Sequence, residues 1–107
     1  MDEPRELTME EVRDEFLDRI WGLIGYWHSL KDRTVRDRME GVVFSVLSTL
    51  DGDSNLPKFV VAPDPHPDDR EYYKEWGENW YPENDVEVRC DIGGGLHEHF
   101  YKARNNV

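Results

Sequence analysis

The sequence predicts an α+β fold: an N-terminal antiparallel helical hairpin packed on a small antiparallel β-sheet, with a short C-terminal helix. Three observations lead there. Apolar residues recur every three or four positions through residues 9–50, the period of one helix face. The pattern then changes to strict alternation over residues 85–92, the period of a strand with one face covered. Between the two lies a stretch rich in proline and carboxylates that follows neither period.

The first helix opens at Leu7-Thr8-Met9-Glu10-Glu11-Val12, where Thr8 serves as N-cap and Glu11 closes a capping box. Val12, Phe16, Ile20, Leu23, Ile24, Trp27 and Leu30 line its inner face, so it is expected over Met9 to Leu30. Gly22 and Gly25 interrupt the pattern, and close packing against a neighbouring helix would account for them. A second helix is expected from Thr34, with Asp37 three residues on and Val35, Met39, Val42, Val43, Val46, Leu47 and Leu50 facing inward. Asp51-Gly52 ends it. The three-residue connection Lys31-Asp32-Arg33 favours an antiparallel hairpin.

Lys58 to Ala62, apolar and bounded by prolines, reads as a strand. In Asp85 to Ile92 the alternation sends Val86, Val88, Cys90 and Ile92 to one face, which predicts a half-buried strand, with Asn79-Trp80-Tyr81 as a candidate third. Pro67-Asp68-Asp69 can open a short helix ending near Gly77, and Leu96 to Arg104 suits a last helix.

At 107 residues the chain suits a single domain over 1–107, with flexible ends at 1–7 and 105–107. Its one cysteine excludes an internal disulfide framework, and Cys90 is expected in the core. The acidic start MDEPRELTMEE has no apolar signal segment, so a soluble, cytoplasmic protein is expected. The net charge of −11 disfavours direct binding to nucleic acid, and no apolar run suggests a membrane partner. Most of the excess lies in residues 51–98, where thirteen acids stand against four bases.

Two constellations carry functional expectations. Between Pro63 and Asp85 eight acids and five Trp or Tyr residues share one stretch, a composition suited to a recognition surface of amphipathic rings ringed by negative charge. Asp64, Asp68, Asp69, Glu71, Tyr73, Glu75, Glu78 and Tyr81 are its candidate contact residues; at least two of Tyr72, Trp76 and Trp80 are expected in the core. Glu10, Asp14 and Asp18, at successive i+4 positions of the first helix, add a ladder of carboxylates whose mutual repulsion a basic partner would relieve. The second constellation is histidine-based: His66, His97 and His99, with Asp68 or Asp69, could hold a divalent metal ion in a small enzyme or ligand-binding domain. On a helix, however, His97 and His99 diverge by about 200°, and Gly93-Gly94-Gly95 then serve as a turn. The same glycines could cradle a phosphate, a weaker reading than the turn because no Lys or Arg follows in the first helical turn and Glu98 and Asp91 stand nearby. Asp51-Gly52-Asp53 lacks the register of a calcium loop.

Glu40 to Gly52, Pro65 to Asp69, Gly77 to Trp80 and Leu96 to Glu98, within residues 36–100, resemble small proteins of bacteriophages and prophages that carry no assigned activity. The resemblance implies a context, the cytoplasm of a bacterial host cell. Short acidic proteins of this type often bind a host or phage macromolecule, DNA-mimicking inhibitors of host defence among them. Together these readings predict a non-enzymatic acidic binding protein, without cofactor, that occupies a basic surface such as that of a nucleic-acid-binding protein. The metal-dependent domain is the alternative, and a self-assembling structural accessory, a homo-oligomer, is a third reading.

Overall fold

The computed structural model describes residues 3–104, which form four helices: α1 (Met9–Ser29), α2 (Val35–Leu50), α3 (Asp69–Glu75) and α4 (Leu96–Arg104). The expected β-sheet is absent, and no strand occurs among the described residues. The fold is therefore all-α, which corrects the α+β expectation.

Both long helices begin as their sequence dictates. At α1 the Glu11 N–H donates to Thr8 Oγ1 at 3.2 Å and the Thr8 N–H to Glu11 Oε1 at 3.0 Å, so two of the end's orphan donors are satisfied reciprocally. At α2 the Asp37 N–H donates to Thr34 Oγ1 at 3.1 Å. Asp51 and Gly52, the latter at φ 92°, close α2 in a conformation that costs glycine little. The flexible ends expected at 1–7 and 105–107 fall partly on residues 1, 2 and 105–107, which lie outside the described residues. Arg5 is held by paired bonds of 2.8 and 2.9 Å to Glu11, whose carboxyl it pulls down to about 2 with help from the Thr8 N–H.

α1 packs on α2, and α2 on α4. The first contact is built around Trp27, whose indole Nε1–H donates to Ser45 Oγ at 2.9 Å. Its ring lies flat against Gly41, where an added Cβ would come within 2.5 Å of the six-membered ring. Helix packing is thus what Gly41 serves, whereas Gly22 and Gly25, expected at such a contact, have open space around them. Phe16 meets Phe59 edge-on with centroids 5.3 Å apart, and Phe44 lies near both His97 and Tyr101 of α4.

The failure of the sheet has a local cause. Ile92 N–H donates to Val61 O at 2.7 Å, as a ladder would require. The Val61 N–H, however, is taken by the Asp91 side chain at 2.9 Å instead of by a facing carbonyl. That carboxylate also accepts from Lys58 Nζ at 2.6 Å and from the Gly93 N–H at 2.9 Å. A side chain that outcompetes the facing backbone in this way ends a ladder after one rung. Beyond it the alternating residues find no cover: Val86 is 97% exposed, Val88 and Ile92 are also exposed, and Cys90 is half-buried, not in a core. Asn79-Trp80-Tyr81 is irregular as well.

The result is a helical body of α1, α2 and α4 from which residues 62–90 depart and return as an arm. No described helix is long and apolar enough to cross a membrane.

Candidate functional site

The arm leaves the body through a neck. Lys58, Val61, Asp91 and Ile92 pin its two ends together by the bonds given above, and Asn84 Nδ2 donates to Pro63 O and Asp64 Oδ1 at 3.4 Å just beyond. Three contacts hold the Asp91 carboxyl down to about 2: foremost the Lys58 ammonium, then the main-chain N–H groups of Val61 and Gly93. It is charged at any physiological pH, so titration does not remove these contacts there.

Beside the neck lies a second carboxylate lock. Asp51, at the end of α2, has its side chain almost sealed from water, at 1% exposure. One oxygen accepts the Gly94 N–H at 2.7 Å; the other accepts the His97 N–H at 2.7 Å and faces His97 Nδ1 at 2.5 Å. On the far side of the ring, Nε2 is 2.8 Å from Asp53 Oδ2. Burial alone would push the Asp51 carboxyl up. The hydrogen bonds from His97, main chain and side chain, and from the Leu96 and Gly94 amides prevail and bring it down to about 2. The Asp51 bond in turn raises His97 above its ordinary value, against some desolvation and with support from the charges of Asp53 and Glu98. The imidazole lies between two aspartates, Nδ1 facing Asp51 and Nε2 facing Asp53.

The amides of the glycine turn and of the start of α4 hold the protein's own Asp51 carboxylate, where the sequence suggested a phosphate. Helix N-terminal amides and a glycine-rich turn attract a carboxylate as they would a phosphate. Gly94, at φ 98°, supplies the left-handed step that turns its N–H toward Asp51. Neither Asp51 nor Asp53 stands out in the sequence as more than a helix stop. Their signal is the donor-rich turn 43 residues downstream, which needs an acceptor.

The structure places the arm's candidate contacts at its surface. Asp64, Asp68, Glu71, Glu75, Glu78 and Tyr81 are exposed, while Asp69, which accepts the His66 N–H at 3.0 Å, and Tyr73 are half-buried. α3 packs on none of the other helices. Tyr72, Trp76 and Trp80 are therefore not core, as expected of at least two of them, but exposed, Trp76 at 67%. Arg70 and Lys74, the bases of α3, lie over the Trp80 ring at 5.4 and 5.2 Å, which folds the returning chain against α3. The ladder Glu10, Asp14 and Asp18 is exposed on α1, with Arg13 Nε 3.3 Å from Asp14.

The histidines go to different tasks. His66 Nδ1 accepts the Asp68 N–H at 3.1 Å within the arm, His97 joins the two aspartates, and the His99 ring lies over Gly95. Among the described residues no three His, Cys, Asp or Glu side chains are grouped so as to hold a metal ion. No family model, curated protein or solved structure matches this chain.

Proposed function

We propose that the protein is a non-enzymatic binding protein whose arm docks on a basic surface of a macromolecular partner. One observation carries the reading: the arm holds exposed tyrosines and tryptophans among carboxylates, yet its helix packs on no other helix. A seven-residue helix in water lacks the length to be stable by itself. Large rings left outside the body serve as anchors for a partner, since Trp and Tyr are enriched among the few residues that carry most of the energy at protein interfaces. The stapled neck supports the same reading by presenting the arm with its ends fixed, which lowers the entropy cost of docking.

The surrounding carboxylates select the partner's charge. They accelerate encounter with a basic surface, and their contribution weakens as salt screens it. A nucleic-acid-binding protein offers such a surface, and the likeness to phage proteins makes a host-defence factor, engaged by DNA mimicry, the partner of choice. Capture from bacterial lysate on the immobilised chain tests this at about 0.1 M and about 0.5 M salt. A partner retained at low salt, released at high salt and displaced by duplex DNA supports the proposal. Recovery of no salt-sensitive partner counts against it.

A further inference from the structure

The helical body leaves an apolar face uncovered, and we propose that a second copy of this chain covers it on the face formed by Trp21, Ile24, Val35, Met39, Val43 and Phe100. α1 is apolar on two adjoining stripes. Phe16, Ile20, Leu23 and Trp27 turn inward, while Leu17, Trp21 and Ile24, at helical spacing beside them, are exposed. Val35, Met39 and Val43 repeat every four residues along α2 and are also exposed, Met39 at 65%. These stripes are continuous: Ile24 borders one groove with Val35 and Met39, and Phe100 borders the next with Val35, Met39 and Val43. A helix apolar on so wide an arc belongs between other helices.

Area and charge identify the occupant. The chain exposes 8885 Å², where a folded monomer of its 12.7 kDa exposes about 6,200 Å². Its radius of gyration is 18.1 Å against roughly 13 Å for a compact chain of this length. Leu23 is the one buried apolar side chain among the described residues, too little core for a stable monomer. The excess of roughly 2,600 Å² is shared between this face and the exposed arm; an obligate homodimer takes about 1,000–2,500 Å² from each subunit, which the excess can supply, whereas a transient partner covers about 800 Å².

Self-association of a chain at −11 also demands a face poor in carboxylates. This face meets the demand. Residues 19–31 of the sequence contain no acid, and Glu40, the carboxylate that lines the groove beside Phe100, lies 3.6 Å from Arg36 Nε. With Arg36 and Arg38 at its border, the face repels the basic partner that suits the arm. Two copies related by a two-fold axis would each present the same patch to the other, α1 and α2 supplying most of it and α4 its Phe100 border.

Sedimentation of the full chain from low micromolar to roughly 0.1 mM gives the test. The proposal expects twice 12.7 kDa throughout, and 12.7 kDa for Met39→Glu/Val43→Glu at the same concentrations. Trp76→Ala, in the arm, leaves the dimer unchanged, which separates this interface from the docking role of the arm. Should the double variant unfold, coupling with a short bis-maleimide decides. In a Cys90→Ser background, Met39→Cys gives a covalent dimer and Val86→Cys does not. A monomeric wild-type chain, a dimer indifferent to Met39→Glu/Val43→Glu, or equal coupling at both positions overturns the proposal.

Discussion

Replacing Asp51 by alanine removes the acceptor that the glycine turn and the start of α4 are built around. The two main-chain donors at 2.7 Å, from Gly94 and His97, then lose their acceptor at a position almost sealed from solvent. Each buried donor left unpaired costs about 1–3 kcal/mol, so Asp51→Ala should destabilise the fold by about 2–5 kcal/mol. Asp51→Asn keeps one acceptor oxygen and loses the charge, and about half that loss is expected. Against a total stability of about 5–15 kcal/mol either change is readily measured. Urea unfolding followed by circular dichroism gives the free energy, and amide hydrogen exchange at Gly94 and His97 locates it. If Asp51→Ala unfolds within about 0.5 kcal/mol of wild type and both amides stay protected, the lock is not what holds α4.

Other consequences are open to direct measurement. Because the folded protein raises His97, its stabilising effect is complete below the unfolded value near 6.5 and is lost as pH rises through the folded value; because Asp51 is lowered to about 2, its effect is present above about pH 4 and lost toward pH 2. Stability should therefore level off between about pH 4 and 6.5 and fall on the alkaline side, and His97→Gln should flatten that fall in urea titrations at several pH values. Gly41→Ala drives a methyl group into the Trp27 ring and should cost about 1–3 kcal/mol, whereas Gly22→Ala, with open space and better helix propensity, should be neutral or stabilising. Asp91→Ala should open the neck, seen as faster exchange of the Val61 and Gly93 amides while the α1 and α2 amides keep their protection.

What the sequence discloses and what it hides divide along the distance between interacting residues. Thr8 with Glu11, Thr34 with Asp37, and the left-handed Gly52 and Gly77 act within a few positions, so all four helices can be read from local pattern. The alternation at 85–92 is also local, but a strand needs a facing ladder, and Asp91 has claimed the Val61 amide for its side chain. Periodicity reports a face capable of being covered, not what covers it; hence the alternating valines, and the tyrosines and tryptophans of the arm, remain exposed. Asp51 and His97 are 46 residues apart. Each half of their lock is visible, as a helix stop and as a donor-rich turn, but no spacing rule joins them. Solvation needs no partner, so the carboxylates of residues 64–78 other than Asp69 are exposed.

The docking role of the arm is tested most directly by capture from bacterial lysate on two immobilised chains in parallel, the wild type and Glu75→Lys/Trp76→Ala/Glu78→Lys. These three side chains are exposed, and α3 packs on no other helix, so the helical body should be unaffected. The account predicts a partner retained by the wild type at low salt and lost by the variant at every salt concentration. Equal retention by both chains would contradict it.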